Sequence, residues 1–138
     1  MKTPDLDCQI DAYCPINPSE DPSKVKQAVS NVLPDMEIQV DDTSLKASSQ
    51  NLESLSNIYE TIHSHRSQRA YRRFMKKNLI ENTTWFYLNK QAALADSVVL
   101  CDEADESPLG PIKIILTSDA IEEIIGWLTQ GQNNFGYS

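Results

Sequence analysis

The chain opens on a two-residue period. Cys8, Ile10, Ala12 and Cys14 alternate with Asp7, Gln9, Asp11 and Tyr13, which reads as a half-buried strand. Pro15 and Pro18 end it. Asp21 then reads as a helix cap, with Pro22 at the first helical position, where its missing N–H costs nothing. Val25, Ala28, Val29, Val32 and Leu33 share one helical face, and Pro34 with Asp35 stops that helix. Met36, Ile38 and Val40 return to period two against Glu37, Gln39 and Asp41. Residues 43–50 are polar and ambiguous, with a short edge strand around Leu45.

A long helical stretch follows over residues 51–79. Its first half carries a stripe of Leu52, Leu55, Tyr59 and Ile62. At about 100° per residue, Arg66, Arg69 and Arg73 continue that stripe, whereas Ala70, Tyr71, Phe74 and Met75 lie roughly 140° away. One straight helix cannot bury both faces against one sheet. The phase shift predicts a kink or break between His63 and Gln68, with Ala70 and Phe74 buried beyond it. Most of the guanidinium groups should stay in solvent, because burying an unpaired charge costs more than the neighbouring apolar groups return.

Asn82 interrupts the helix. Thr83 to Leu88 is β-branched and aromatic, a strand pattern, and Val98 to Cys101 is a short apolar strand. Ser107 to Pro111 is turn chemistry, and Ile112, Ile114 and Leu116 form the last strand. Ser118 or Asp119 caps a final helix whose Ile121, Ile124, Ile125 and Leu128 face the core, and Gly131 ends it. The order predicts a single α+β domain over 1–138. Its ordered core spans about 7–130, and 131–138 forms a tail. The sheet should be curved and mainly antiparallel, with helices packed on one face.

Composition narrows the function classes. No apolar run nears the ~18 residues of a membrane span. The first seven residues hold no apolar signal region, which leaves a cytoplasmic location as the expectation. Cys8 and Cys14 read as small core residues, too far apart along an extended strand to bridge. His63 and His65 point apart on a helix and cannot share a metal there. Asp102, Glu103, Asp105 and Glu106 lack a calcium-loop pattern, and no Ser or Cys has a neighbouring base by motif. The reading is non-enzymatic, with no cofactor and no metal.

Charge adds the one candidate surface. Residues 66–77 hold Arg66, Arg69, Arg72, Arg73, Lys76 and Lys77 with no acid, in a chain whose formal net charge is −8. Arg66, Arg69, Arg73 and Lys77 recur at helical spacing and would line a ridge about 16 Å long, suited to successive phosphates. The bland alternative is internal pairing with the acidic loop at 102–106, or pairing across a homodimer. Asn89, Lys90 and Gln91 at the end of an aromatic strand are further candidate ligand contacts. If the strand continues, Asn89 and Gln91 share one face with Lys90 opposite. Alternatively Asn89 and Gln91 satisfy nearby backbone groups.

Three motifs carry a resemblance. Glu20-Asp21-Pro22-Ser23-Lys24-Val25 resembles the EDPxKV opening of an uncharacterised archaeal family. Leu88-Asn89-Lys90-Gln91-Ala92-Ala93 is similar to its LNKQAA motif, and Ser107 to Ile112 to its SPLGPI motif. Arg69 falls where that family carries an Arg after Gln or Glu. The segment after it, Ala70-Tyr71-Arg72-Arg73, is heavier and more cationic than the usual Ala-rich run. The resemblance implies a fold like that of a large-subunit ribosomal protein, and relatives predicted to bind RNA and linked to the exosome. The expected function is non-catalytic binding of RNA or a similar polyanion, short or single-stranded, through the 66–77 ridge and Asn89, Lys90 and Gln91. The alternative is an interaction module, a homodimer whose basic ridge meets acidic surface.

Overall fold

Six short segments pair into one sheet. The computed structural model describes residues 1–131. Its strands are β1 (Gln9–Pro15), β2 (Glu37–Val40), β3 (Ser44–Ser49), β4 (Thr83–Leu88), β5 (Leu100–Cys101) and β6 (Ile112–Thr117). They lie in the order β2-β3-β1-β6-β4-β5, and every neighbouring pair is antiparallel. The helices are α1 (Pro22–Val32), α2 (Ser56–Ser64), α3 (Gln68–Lys77), α4 (Lys90–Leu94) and α5 (Ile121–Leu128). The fold is therefore α+β, as expected; the expected tail falls, from residue 132 on, outside the described residues.

The core lies on one side of the sheet. Ile10, Ala12, Cys14, Phe86, Leu88, Ile112, Ile114 and Leu116 point inward and are buried against Val29, Ile58, Ile62, Tyr71, Ile124 and Leu128 of the helices. Each fully buried Ile or Leu contributes about 1.5–3 kcal/mol of transfer free energy. Cys8 and Cys14 are free and buried, and burial pushes both thiols up to about 11. Among the described residues, the opposite face carries the alternate residues of the same strands and no helix.

The expected break in the long helix is present. α2 ends at Ser64, and Arg66 takes a left-handed conformation, φ 53°. Ser67 N–H donates to Ile62 O at 2.9 Å and Arg66 N–H to His63 O at 3.4 Å, which closes the corner as a Schellman motif. The residues buried beyond it differ from expectation by one position: Tyr71 and Met75 are fully covered, with Gln68, while Ala70 and Phe74 are only half-buried. The corner restarts the helix at Gln68, so the apolar stripe keeps its members while its centre moves.

Two strand expectations are corrected. β3 is not an edge strand; it pairs with β1 on one side and β2 on the other, and the edge is β2. Its small polar residues hid it, because ladder hydrogen bonds on both sides replace apolar content. The strand through Leu88 also does not continue into Asn89-Lys90-Gln91. Asn89 Oδ1 accepts the Ala92 N–H at 2.8 Å and caps α4, which rotates Lys90 inward.

Lys90 is 3% exposed. Its ammonium donates to Pro15 O at 2.8 Å, Leu109 O at 2.9 Å and Glu20 Oε1 at 3.0 Å. Asn17 supports the same cluster, its Nδ2 donating to Leu109 O at 2.7 Å and Glu20 Oε1 at 3.0 Å. The Ser107 hydroxyl accepts the Lys90 N–H at 3.1 Å, and Gln91 Nε2 donates to Pro108 O at 2.7 Å. Gly110, at φ 95°, completes the approach, since a Cβ there would strike the Pro15 ring. The three motif segments thus meet around one buried charge.

Lys90→Met is expected to cost about 3–5 kcal/mol in urea unfolding, because it leaves the largely covered Glu20 carboxylate without its cation. Adding Glu20→Gln should recover part of that loss; a single variant within about 1 kcal/mol of wild type would contradict the assignment.

Acid should act through the same carboxylate. Burial raises the Glu20 pKa, but hydrogen bonds from Asn17 and Lys90 and the ammonium's charge outweigh it and hold the group below its ordinary value. Its contribution is present above the unfolded value of about 4.3 and is lost as pH falls through the lower folded value. Melting temperature measured down the acid range should therefore fall less steeply in Glu20→Gln than in wild type.

Candidate nucleic-acid interface

The basic segment sits where it does because of a gap at the sheet edge. β5 pairs only with Tyr87 and Leu88, leaving the first part of β4 paired with β6 on one side and without a strand of the sheet on the other. α3 fills that gap. Asn78 Nδ2 donates to Trp85 O at 3.1 Å, and the Thr84 hydroxyl donates to Met75 O at 2.6 Å. Tyr71 meets Phe86 edge-on at 5.7 Å on the core side, and Phe74 meets Tyr87 edge-on at 6.1 Å. With Tyr71 and Met75 fixed inward, helical geometry turns Arg69, Arg73 and Lys77 to solvent, and all three are exposed.

The six cations divide into two groups. Arg72 and Lys76 lean towards α5: Arg72 Nε donates to Thr129 Oγ1 at 3.2 Å and its Nη2 to Thr129 O, while Lys76 pairs with Glu122 at 2.9 Å. The Lys76 pair is well exposed on both sides, so it contributes little to stability. Arg66, Arg69, Arg73 and Lys77 form the outward group. Arg66 stands in the corner before α3, not on the helix, so the helical part of the ridge runs from Arg69 to Lys77, about 12 Å.

Asn89, Lys90 and Gln91 do not join this surface. Asn89 caps α4, Gln91 holds the Pro108 carbonyl, and the Lys90 ammonium is enclosed among Glu20, Pro15 and Leu109. Their polar atoms answer local backbone and carboxylate groups, the alternative reading for Asn89 and Gln91, and the Lys90 side chain is buried.

Two features of the ridge's surroundings were not foreseen. A groove of about 630 Å³ separates the α2–α3 corner from the 96–102 segment. Tyr71, Val98 and Leu100 form its apolar part, with Arg73, Asp96 and Asp102 also lining it. The segment before β5 is irregular, so no periodicity marked this contact in advance. At the corner itself, the His63 ring lies between Leu128 O, 3.1 Å from Nε2, and Gln68 Nε2, 3.4 Å from Nδ1. This places the proton on Nε2. Gln68 is buried with its Oε1 lacking a hydrogen-bond partner. Among the described residues, no group of three His, Cys, Asp or Glu is placed to hold a metal, and no helix is long and apolar enough to cross a membrane.

A family model described as RNA binding matches residues 9–118. A UPF0201 protein of Methanothermobacter thermautotrophicus is 39% identical over 120 residues, covering 87% of this chain and 89% of that one. A UPF0201 protein of Sulfurisphaera tokodaii is 39% identical over 119 residues, covering 83% and 81%. The crystal structure of a UPF0201 protein from Methanococcus jannaschii superposes with a TM-score of 0.75 at 26% identity, over 88% of this chain and 92% of that one. A DUF54 protein from Methanothermobacter thermautotrophicus shares the fold, with a TM-score of 0.65 at 17% identity, over 91% and 100%. With the matching family model spanning all six strands and these archaeal relatives aligned over most of their length, the chain belongs to the UPF0201 family.

Proposed function

We propose that this protein binds RNA without catalysis, through the outward cations of α3 and the corner before it. The observation that carries the reading is the edge-strand gap: α3 packs there by Tyr71 and Met75 and turns Arg69, Arg73 and Lys77 to solvent in an otherwise acidic protein. The RNA-binding family model over residues 9–118 supports the class of ligand. The overall charge of −8 opposes close approach of a long duplex and favours a short or single-stranded one.

Arg66 adds a second line of support. Glycine is the usual residue at the left-handed position of a Schellman corner. An arginine held there at φ 53° keeps a cation beside the ridge at the expense of backbone strain.

Binding to a short single-stranded RNA should weaken steeply with salt. Contacts from Arg66, Arg69, Arg73 and Lys77 imply about four phosphates and a log–log slope near −3. Arg73→Glu with Lys77→Glu should abolish binding while leaving the melting temperature within a few degrees. Affinity that is absent at low salt, flat across salt, or retained in that variant would sink the reading.

Arg66→Gly separates function from stability. Relief of the left-handed strain is expected to leave stability unchanged or raise it by up to ~1 kcal/mol, while RNA affinity falls several-fold. A loss of stability with unchanged affinity would show the corner arginine to be structural.

A further inference from the structure

The helix-free face of the sheet carries its own pattern. Strand register places Lys46 of β3 and Lys113 of β6 opposite Tyr13 of β1, and Tyr87 of β4 opposite Lys113. Gln39 of β2 lies opposite Lys46 and extends the row. Five strands thus contribute Gln39, Lys46, Tyr13, Lys113 and Tyr87 in one line, with no acid among them. Trp85 shares this face with Tyr87, two residues along β4, and the Lys113 ammonium stands 4.9 Å from its ring centroid. Tyr13 is 41% exposed, and Trp85, Tyr87 and Ile115 are only half-buried.

The solvated face of an antiparallel sheet is ordinarily polar. Here three aromatic rings stand on it, interleaved with two lysines. A groove of about 470 Å³ lies among Tyr13, Lys46, Lys113 and Ile115, with Asp11 as its one acid. That size is within the ~300–1,000 Å³ range of small-molecule sites. Phe74 of α3 touches Tyr87 edge-on, so the row and the basic ridge adjoin at the sheet edge.

We propose that this open sheet face is a stacking platform for single-stranded RNA, with bases on Tyr13 and Trp85 and phosphates at Lys46 and Lys113. The proposal rests on the RNA reading of α3 and adds a second surface to it. Aromatic faces accept any unpaired base, and a duplex keeps its base faces inside its own stack, so the platform selects single strands. Lys113 covers the Trp85 ring in the free protein; a phosphate draws the ammonium away and opens the ring to a base. The acid-free row favours a polyanion over a second copy of the chain, whose same row would meet it with like charge about a two-fold axis.

The test uses the two tryptophans. Trp127→Phe leaves Trp85 as the only indole. Titration of that variant with a ten-nucleotide oligouridylate should quench its emission with the same midpoint as binding. Tyr13→Ala with Trp85→Ala should weaken oligouridylate binding at least tenfold with the salt slope retained. Lys46→Gln with Lys113→Gln should lower the slope by about one to two. A ten-base-pair duplex should bind at least tenfold more weakly than the single strand. Emission unmoved at saturating RNA overturns the platform even if the double alanine variant fails to fold. So does wild-type affinity in that double variant; if Arg73→Glu with Lys77→Glu still abolishes binding, the α3 reading stands alone. A double alanine variant that converts a sedimenting dimer to a monomer makes the face an interface between copies and also overturns the proposal. No binding of either RNA by wild type at low salt removes both readings together.

Discussion

One buried ammonium organises the centre of this fold. Lys90 reaches the end of β1, the loop before α1 and the turn before β6, and β1 and β6 are the two central strands of the sheet. The oxygens of Pro15, Glu20 and Leu109 are turned inward by chain reversals and cannot all be answered by backbone N–H groups. A single cation with three rotatable donors satisfies them. A hydrophobic residue of similar length would pack as well but leave two carbonyls and a carboxylate without the ammonium, with only Asn17 still donating to Leu109 O and Glu20, which is why the position favours lysine. The cap by Asn89, the Ser107 hydroxyl and Gly110 are the geometric conditions for placing it.

The surface chemistry depends on a second constraint, the short β5. Because β5 covers only two residues of β4, a helix rather than a strand completes the sheet edge. That helix meets β4 through Asn78 and Thr84 as well as by packing, so its outward side is set by hydrogen bonds as much as by apolar contact. The Schellman corner at Arg66 lets α2 stay on the core while α3 turns onto the edge. Cations that would have been driven under a straight helix come out into solvent, beside a row of aromatic and basic residues that the sheet register assembles from five strands. A local positive surface in an acidic body binds a flexible strand more readily than a rigid duplex, because the strand can follow the surface and avoid the rest.

Much of this was legible in the residues. The alternation of Cys8 to Cys14, the capped α1, the β4 pattern and the final helix each follow from period and capping alone. The 140° phase shift located the α2–α3 corner before any coordinates. What stayed hidden was non-local. β3 carries few apolar residues because its two neighbours stabilise it. Lys90, in a run that read as an exposed polar end of a strand, is buried because Asn89 starts a helix; the cap was visible, but not the partners that await the ammonium. The open-face row depends on register between strands that lie up to 100 residues apart in sequence, as Tyr13 and Lys113 do. Outward alternation named its members one strand at a time without showing that they align.

The most direct measurement is ultraviolet crosslinking of the protein to short single-stranded RNA, with the modified peptides identified by mass spectrometry. The account predicts crosslinked residues within 66–77 and at Tyr13, Trp85 or Tyr87, lost together as salt rises, and none at Lys90 or in the helix-covered core. Crosslinks confined to other surfaces would contradict it, as would their absence at low salt.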